Sequence, residues 1–569
     1  MLHRLVCLSR KALTSGLLVA CFVFPASAQI QSTFTDVRHD VSQPLRDLAK
    51  TASTQLPSRQ TKAVQPTPLV EGFKPASIQD SVLQQVTGGN SASVTILAAG
   101  LNFEGLGEGF AGFSVESAPA DPSGAVGLTQ YVQWVQLSFA IFDKATGNVL
   151  VGPTPGNALW QGFGGSCEAN NNGEPEVVYD KLADRWIFSQ FSVLNATGTG
   201  FGPFFQCVAV STTPDAAGTY NRYAFQYSNF NDDARIGVWP DAYYVTFNMF
   251  QQGATLFTPV GANVCAYDRK AMLAGLPATQ ICFQQDPSVT SLRPADIDGH
   301  NPPPAGSPNY MLTFGANTLE LYKFHVDFAT PSNSTFTGPT SIPVAPFTPL
   351  CPGGTCVPQP DPTTPLDSNG DRLGNRLAYR NFGDHESLIV NHSVSVGTPD
   401  APGSGVRWYE IQNPNGTPTV AQQSTFAPDT ATFRWTGSIA MDQVGDIALG
   451  YNISSTSISP SIGFASREAN DPLNTLGPEQ TIISGSGSQT EDEFGDILSI
   501  WGTYSAMQVD PSDDCTFWYT AEYLAEDCGG IRRQTCSSES NRTHGRSSRE
   551  ICSKGKRRRA SSCYRDCRT

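Results

Sequence analysis

Beyond its first 28 residues the chain has no uninterrupted run of 18 apolar residues, so no later segment reads as a membrane-crossing helix, which takes roughly 20. Charge is scarce as well: Asp, Glu, Lys and Arg make up 15% of the residues, and Ser, Thr, Asn and Gln supply the polarity. Together with 52 Gly and 41 Pro, this composition argues against long helices and for a turn-rich β protein. G-x-S-x-G is missing, since Ser486 lies in the loop-like stretch 485–488, and a serine hydrolase therefore has no nucleophile elbow. No P-loop or dinucleotide fingerprint stands at a strand-to-helix junction. The Ser-x-Asp-x-Gly-x-x-Trp boxes of sialidases are also missing, which weakens any glycosidase analogy. The cysteines do not form C-x-x-C pairs with His, so they do not read as a zinc site.

What is present first is a processing signal. Arg4, Arg10 and Lys11 precede an apolar run from Leu13 to Phe24, and Ala26, Ser27 and Ala28 precede Gln29. This is the pattern of a secretory signal peptide over residues 1–28, and it places the protein in a secreted or periplasmic setting. A lipoprotein alternative would use Leu18 to Cys21, at the cost of an apolar stub (Phe22 to Phe24) and an unused A-x-A site. Of 14 cysteines, Cys7 and Cys21 leave with the signal. Proximity along the chain couples Cys167 with Cys207, Cys265 with Cys282, Cys351 with Cys356 and Cys515 with Cys528, and in an exported chain such couples read as structural disulfides.

The net charge of −15 hides two unlike parts: residues 529–569 hold twelve Lys and Arg against three acids, +9, so the remainder carries −24. An acidic body argues against nucleic acid as a partner, because phosphate binding needs a basic face. Residues 29–97 are rich in Ser, Thr, Gln and Pro, with one short helical pattern around Val41 to Ala52, and read as a disordered linker or propeptide-like segment.

From residue 98 to 528 a unit recurs: a polar turn, a short strand, a second turn, a second strand. Copies start at Asp121, Pro175, Arg235, Asp296, Asn381, Trp435 and Tyr504, about 55 to 85 residues apart, the scale of propeller blades with loop insertions. From Trp435 to Met441 small residues alternate with larger apolar ones, as the tight inner strand of a blade requires. The expected fold is all-β: a single six- or seven-bladed β-propeller with a disordered N-terminal segment and an irregular C-terminal tail.

The strings RIGVWPDAYYVTFN, LAYRNFGDHESLIVNHSV, RWTGSIAMDQVGDIALGYNISS and DDCTFWYTAEY carry a resemblance to a family of exported, largely uncharacterised bacterial β-propeller proteins, sialidase-like or WD40-like in general form. It covers about residues 100–527 and implies the fold class and export; the family supplies no agreed activity or catalytic residues. Two departures stand out. Ile500 to Tyr504 lacks the Arg before Trp and the Asp before Tyr of similar chains. From Gly529 the sequence turns basic and Cys/Ser/Arg-rich with no strand pattern, which reads as a shifted frame or else as a surface-binding arm.

In a propeller the loops entering the inner strands meet at one mouth of the channel, so residues far apart in sequence converge. The ligand-binding candidates there are Arg235, Asp241, Arg376, Arg380, Arg434 and Trp435, with Asp298 and His300 beside them; guanidinium forks match a carboxylate two bonds at a time. Asp384, His385 and Glu386, three ionisable groups in a row beside an apolar strand, are the catalytic candidates, with Glu386 or Asp384 as proton donor. The heavier expectation for each is structural, with Asp capping turns and Arg stacking on Trp. Asp367, Asn369 and Asp371 place oxygens at positions 1, 3 and 5 of a loop, as a structural Ca²⁺ site does, although Gly370 falls at position 4 and Ala378 at position 12; no cofactor is required. Two functions follow: binding of a glycan, peptide or surface protein at the channel mouth, or hydrolysis or elimination on an anionic polysaccharide or glycoconjugate.

Overall fold

Short β-branched and aromatic runs punctuated by Gly, Asn and Asp turns fold most simply as successive antiparallel hairpins. The computed structural model describes residues 30–52, 80–84, 100–115, 119–194, 202–253, 257–351, 354–360, 365–398, 400–490 and 499–525. The signal at 1–28, residues 29, 53–79 and 85–97 of the linker, Cys528 and the tail from 529 lie outside the described residues.

Among the described residues seven strands each open an antiparallel array: β1 (Ser123–Val126), β2 (Glu176–Asp180), β3 (Phe230–Val238), β4 (Arg293–Asp298), β5 (Leu377–Asn381), β6 (Phe433–Met441) and β7 (Ala506–Val509). Behind each of β1 to β6, three more strands pair in chain order; behind β7 stands Phe517–Thr520. β4 and β5 also pair with each other, in parallel from Ala295 with Leu377 to Asp298 with Arg380, which fuses two arrays into one sheet. Each opening strand packs beside the next, and β7 packs beside β1, so the arrangement closes on itself and is propeller-like.

The cores lie between consecutive arrays, which explains why opening strands such as β6 are buried along their whole length. Trp134, Phe139 and Phe188 fill the gap between the first and second arrays. Tyr223, Phe225, Tyr267 and Phe247 fill that between the second and third. Trp239, Tyr310 and Tyr379 join the third to the fourth and fifth. Closure rests on Tyr131 stacked on Trp518 at 5.3 Å, Gln133 Nε2 donating to Thr520 Oγ1 at 2.8 Å, and the Val126 N–H donating to Gln508 at 3.2 Å. Close approach leaves no room for side chains at two glycines: a Cβ on Gly237 would strike the Ala295 carbonyl, and one on Gly450 the Tyr519 ring.

The described residues of the 29–97 segment, 30–52 and 80–84, differ from the loose packing expected of them. Ile30–Thr35 adds an antiparallel edge strand to Thr279–Gln284, and Arg38–Val41 does the same to residues 221–224. A helix, Leu45–Thr51, then buries Leu45 and Leu48, and Leu83–Gln84 pairs in parallel with Thr425 and Phe426. The physical reason is that an outer strand carries a row of unpaired N–H and C=O groups, which even a polar segment can satisfy.

Disulfides join Cys167 to Cys207, Cys265 to Cys282 and Cys351 to Cys356, as the spacing suggested, and such bonds fit an oxidising compartment. Cys515 is buried. Among the described residues no helix is long and apolar enough to cross a membrane.

Candidate functional site

Side chains of a strand alternate between faces, so residues two apart in an opening strand share the face toward the ring's axis. Asp296 and Asp298 of β4 are such a pair. Arg376, just before β5, donates through Nη1 to Asp296 at 3.0 Å and through Nη2 to Asp298, while its Nε reaches the Met507 carbonyl of β7 at 3.4 Å. Lys181, just after β2, also pairs with Asp298 and donates to the Ile297 carbonyl at 3.0 Å. Arg380 holds Asp514, in the turn after β7, with two bonds and the Met441 carbonyl with a third. Arg235 of β3 pairs with Asp233 and lies 3.5 Å over the Tyr504 ring, and Arg293 reaches the same Asp233 at 3.4 Å. Buried ion pairs thus link β3, β4 and β5 with the residues just after β2 and the turn after β7.

Burial makes each charge there expensive unless it is matched. Burial opposes ionisation of Asp233, but Arg235 and Arg293 beside it overcome that and hold its carboxyl below the usual range. Asp298 is held low in the same way, against burial, by Arg376, Lys181 and Arg380. Glu176 goes the other way: burial outweighs the pull of Arg235 and pushes it up to about 8, while its carboxyl accepts the Ile236 N–H at 2.7 Å. Carboxyls here also act as latches between strands, with Glu174 accepting the Asp233 N–H at 2.8 Å and Asp296 the Val238 N–H at 3.1 Å.

The opening strands run in one sense, so the ring has an end at which they begin and an end at which they finish. The residues expected at a single mouth are divided between these ends. Arg376, Arg434 and Trp435 sit at or near strand beginnings, and Arg235 lies just past the middle of β3. Arg380, Asp298, Asp241 and the hairpin 382–385 sit at strand finishes, as does His300. Arg434 is turned from the axis toward Glu479 (2.6 Å) and Asp429 (2.8 Å), and Trp435 is fully buried against Trp501. Asp241 is exposed and accepts from the Tyr244 hydroxyl at 3.3 Å.

Asp384 is exposed at the finishing end, bonded to His385 Nδ1 at 2.7 Å, and the His385 ring stacks on Phe382. Glu386, opening the following strand, accepts from the Tyr379 hydroxyl at 2.6 Å and the Tyr310 hydroxyl at 3.4 Å, between the fourth and fifth arrays. Glu386 and Arg380 therefore face different neighbours, and the head groups of Arg235, Arg380 and Arg434 do not meet at His385 or Glu386. In the 367–371 loop, Asp367 accepts the Asn369 N–H at 2.9 Å, Asn369 Nδ2 donates to the Trp501 carbonyl at 3.4 Å, and Asp371 pairs with Arg372 at 2.8 Å. A Ca²⁺ ion there would compete with the Arg372 guanidinium, so this donor set does not fit one well. Among the described residues no group of three His, Cys, Asp or Glu side chains is placed to hold a metal.

At the beginning end a narrow pocket lies between β6 and the segments that lead into β5 and β7, lined by Arg293, Arg372, Asn391, His392, Thr436 and Thr503 among others. Its volume is about 20 Å³, on a scale where one water needs roughly 10–15 Å³. Asp233, Arg293, Lys181 and Asp514, which complete the buried ion pairs, were not among the residues expected from sequence. Their signal was available only as acid pairs, Asp232–Asp233 inside β3 and Asp513–Asp514 in the turn after β7, and as Arg293 heading a strand.

No family model matches the chain, and no curated protein matches it. Among solved structures, the chain is similar to a glycosyl hydrolase from Bacteroides ovatus at 10% identity and a TM-score of 0.24, over 53% of this chain and 86% of that one. It is also similar to the WD40 domain of SCAP from fission yeast at 8% identity and a TM-score of 0.26, over 69% and 80% of the two chains.

Proposed function

We propose that this is an exported seven-bladed propeller that binds a glycan at the end of its channel where the opening strands begin. The observation that supports it is the pocket at that end, which at about 20 Å³ admits one polar substituent of a sugar rather than a whole ring, and whose lining of amide, hydroxyl, imidazole and guanidinium groups suits such a substituent and adjoins the ion pairs of Asp233 with Arg235 and Arg293. The seven opening strands among the described residues support a reading with seven blades, the last having two described strands. The disulfides support export, and the described part of the N-terminal segment zips onto blade edges as a folded mature chain would allow. Binding is preferred to hydrolysis because Glu386 is engaged by two tyrosines and the arginines are committed to internal carboxylates. A glycan array with the purified protein tests the reading. Retention of defined glycans, lost when Thr503→Trp fills the pocket, is the expected result; no retention, or retention indifferent to that substitution, overturns it.

A further inference from the structure

The pocket at the beginning end has a chemical bias that its shape alone does not convey. The charged residues on its wall are the cations Arg293 and Arg372, and among the described residues no carboxylate lines it; Asp233 and Asp371 pair with these cations from outside the lining. Arg293 is poorly compensated. Its Asp233 contact is 3.4 Å long and shared with Arg235, its Nε is spent on the Leu373 carbonyl, and burial together with Arg235 and Arg372 outweighs Asp233 and lowers its basicity.

Around this cation lie polar side chains with unused hydrogen-bonding capacity. Asn391 is fully buried, and neither its amide nitrogen nor its oxygen has a partner. The Thr436 hydroxyl and His392 Nδ1 are likewise buried and unpartnered, as is the Thr503 hydroxyl. A buried polar group left unpaired costs about 1–3 kcal/mol, so several lining one pocket mark a place where something else supplies the bonds. Two glycines make the space: a Cβ on Gly374 or Gly437 would come within 2.9 or 2.7 Å of Asn391 Oδ1. His392 is kept neutral, since burial and the nearby Arg407 drive its pKa well below the usual range, so it brings no added charge of its own.

We propose that this pocket is a binding site for one compact anionic group, a halide or a carboxylate, anchored electrostatically by Arg293 and bonded by the Asn391 amide and the Thr436 and Thr503 hydroxyls. Guanidinium and neutral N–H or O–H donors with no facing carboxylate are the complement of an anion and the wrong set for a metal ion. The volume restricts the group to one or a few heavy atoms, so a larger ligand would enter by a single acidic substituent. That extension, to an acidic sugar, rests on the glycan reading; the anion site itself does not.

The test is calorimetric titration of the intact protein at constant ionic strength with bromide, acetate, glucuronate and neutral glucose, together with anomalous diffraction from crystals holding bromide. Saturable binding of at least one anion, with a bromide peak beside Arg293 and Asn391, is the expected result. Asn391→Asp, which keeps the side-chain shape but places a negative charge in the pocket, should weaken binding by at least about tenfold, whereas Gln226→Ala on an exposed strand position leaves it unchanged. Glucuronate binding at least about tenfold more tightly than acetate identifies the anion as part of an acidic sugar; bromide or acetate binding as well as glucuronate supports the site with a free anion as its occupant. Heat effects that follow ionic strength alone, with no bromide peak in the wild-type crystal, overturn the proposal even if a variant fails to fold. A negative glycan array alongside positive anion titration would remove the glycan reading and leave this one standing.

Discussion

Arg380 and Asp514, 134 residues apart, meet as a two-pronged ion pair, with Nη1 and Nη2 donating to separate carboxylate oxygens at 2.9 and 2.7 Å, and both side chains are buried. The pair ties β5 to the turn after β7 across the axis, so it helps hold the last array in the ring. Removing one partner leaves an uncompensated buried charge, for which the penalty is about 3–5 kcal/mol. Arg380→Met and Asp514→Leu are each expected to destabilise by that order, and the double variant to recover a good part of the loss. Denaturant unfolding of the four proteins checks this. Additive losses in the double variant would mean that the two side chains do not act as a pair.

The pH dependence follows from the buried carboxyls. Glu176, Glu522 and Asp442 are pushed up to about 8, in each case first by burial, with Asp446 adding to the effect at Asp442. Between their ordinary pKa, near 4, and about 8 the folded state binds protons that the unfolded chain does not, so stability falls as pH rises through that window and levels off above it. Asp233 and Asp298 are depressed instead, and their contribution is lost as pH falls below the ordinary aspartate range. Thermal melts should therefore peak near pH 5 and decline toward pH 8.5, with a shallower decline in Glu176→Gln. A melting temperature that rises between pH 6 and 8.5 would contradict this assignment.

The repeat was legible because its determinants are local. Turn residues and short apolar strands recur within each unit, and the starts read at Asp121, Pro175, Arg235, Asp296, Asn381, Trp435 and Tyr504 all lie on or within a few residues of β1 to β7. The site was not legible in the same way. Whether a side chain faces the axis or a neighbouring array changes at every residue, so Tyr379 binds Glu386 while Arg380, next to it, binds Asp514. Arg434 looks no different in sequence from Arg235, yet it is held by Asp429 and Glu479 within its own array, whereas Arg235 also lies over the Tyr504 ring of the last one. The edge strand Ile30–Thr35 was missed because IQSTFT has too little apolar character to declare a strand; backbone pairing with Thr279–Gln284 supplies what its side chains do not.

That edge strand should matter for solubility. Residues 30–41 cover the outer strands of the second and third arrays, and Asp40 locks the strap to Arg222 with two bonds of 2.7 Å. Deleting 30–41 uncovers two strand edges, which then offer their N–H and C=O groups to other molecules. Light scattering after size exclusion should show larger species than the intact chain forms, and the melting temperature should drop. An unchanged mass and melting temperature would show that the strap adds nothing the arrays need.

Glu386 offers the sharpest separation of binding from catalysis. As an acceptor for the Tyr379 and Tyr310 hydroxyls it has a structural task that a glutamine oxygen can perform, whereas a proton donor cannot be replaced by an amide. Glu386→Gln is therefore expected to change stability by no more than about 1 kcal/mol and to leave glycan or anion binding at the other end of the channel intact. The same variant should be assayed by product analysis on acidic polysaccharides beside the wild type. Cleavage by the wild type that disappears in a stably folded Glu386→Gln protein would move the active centre to the finishing end of the strands and make the tyrosine pair part of the catalytic machinery.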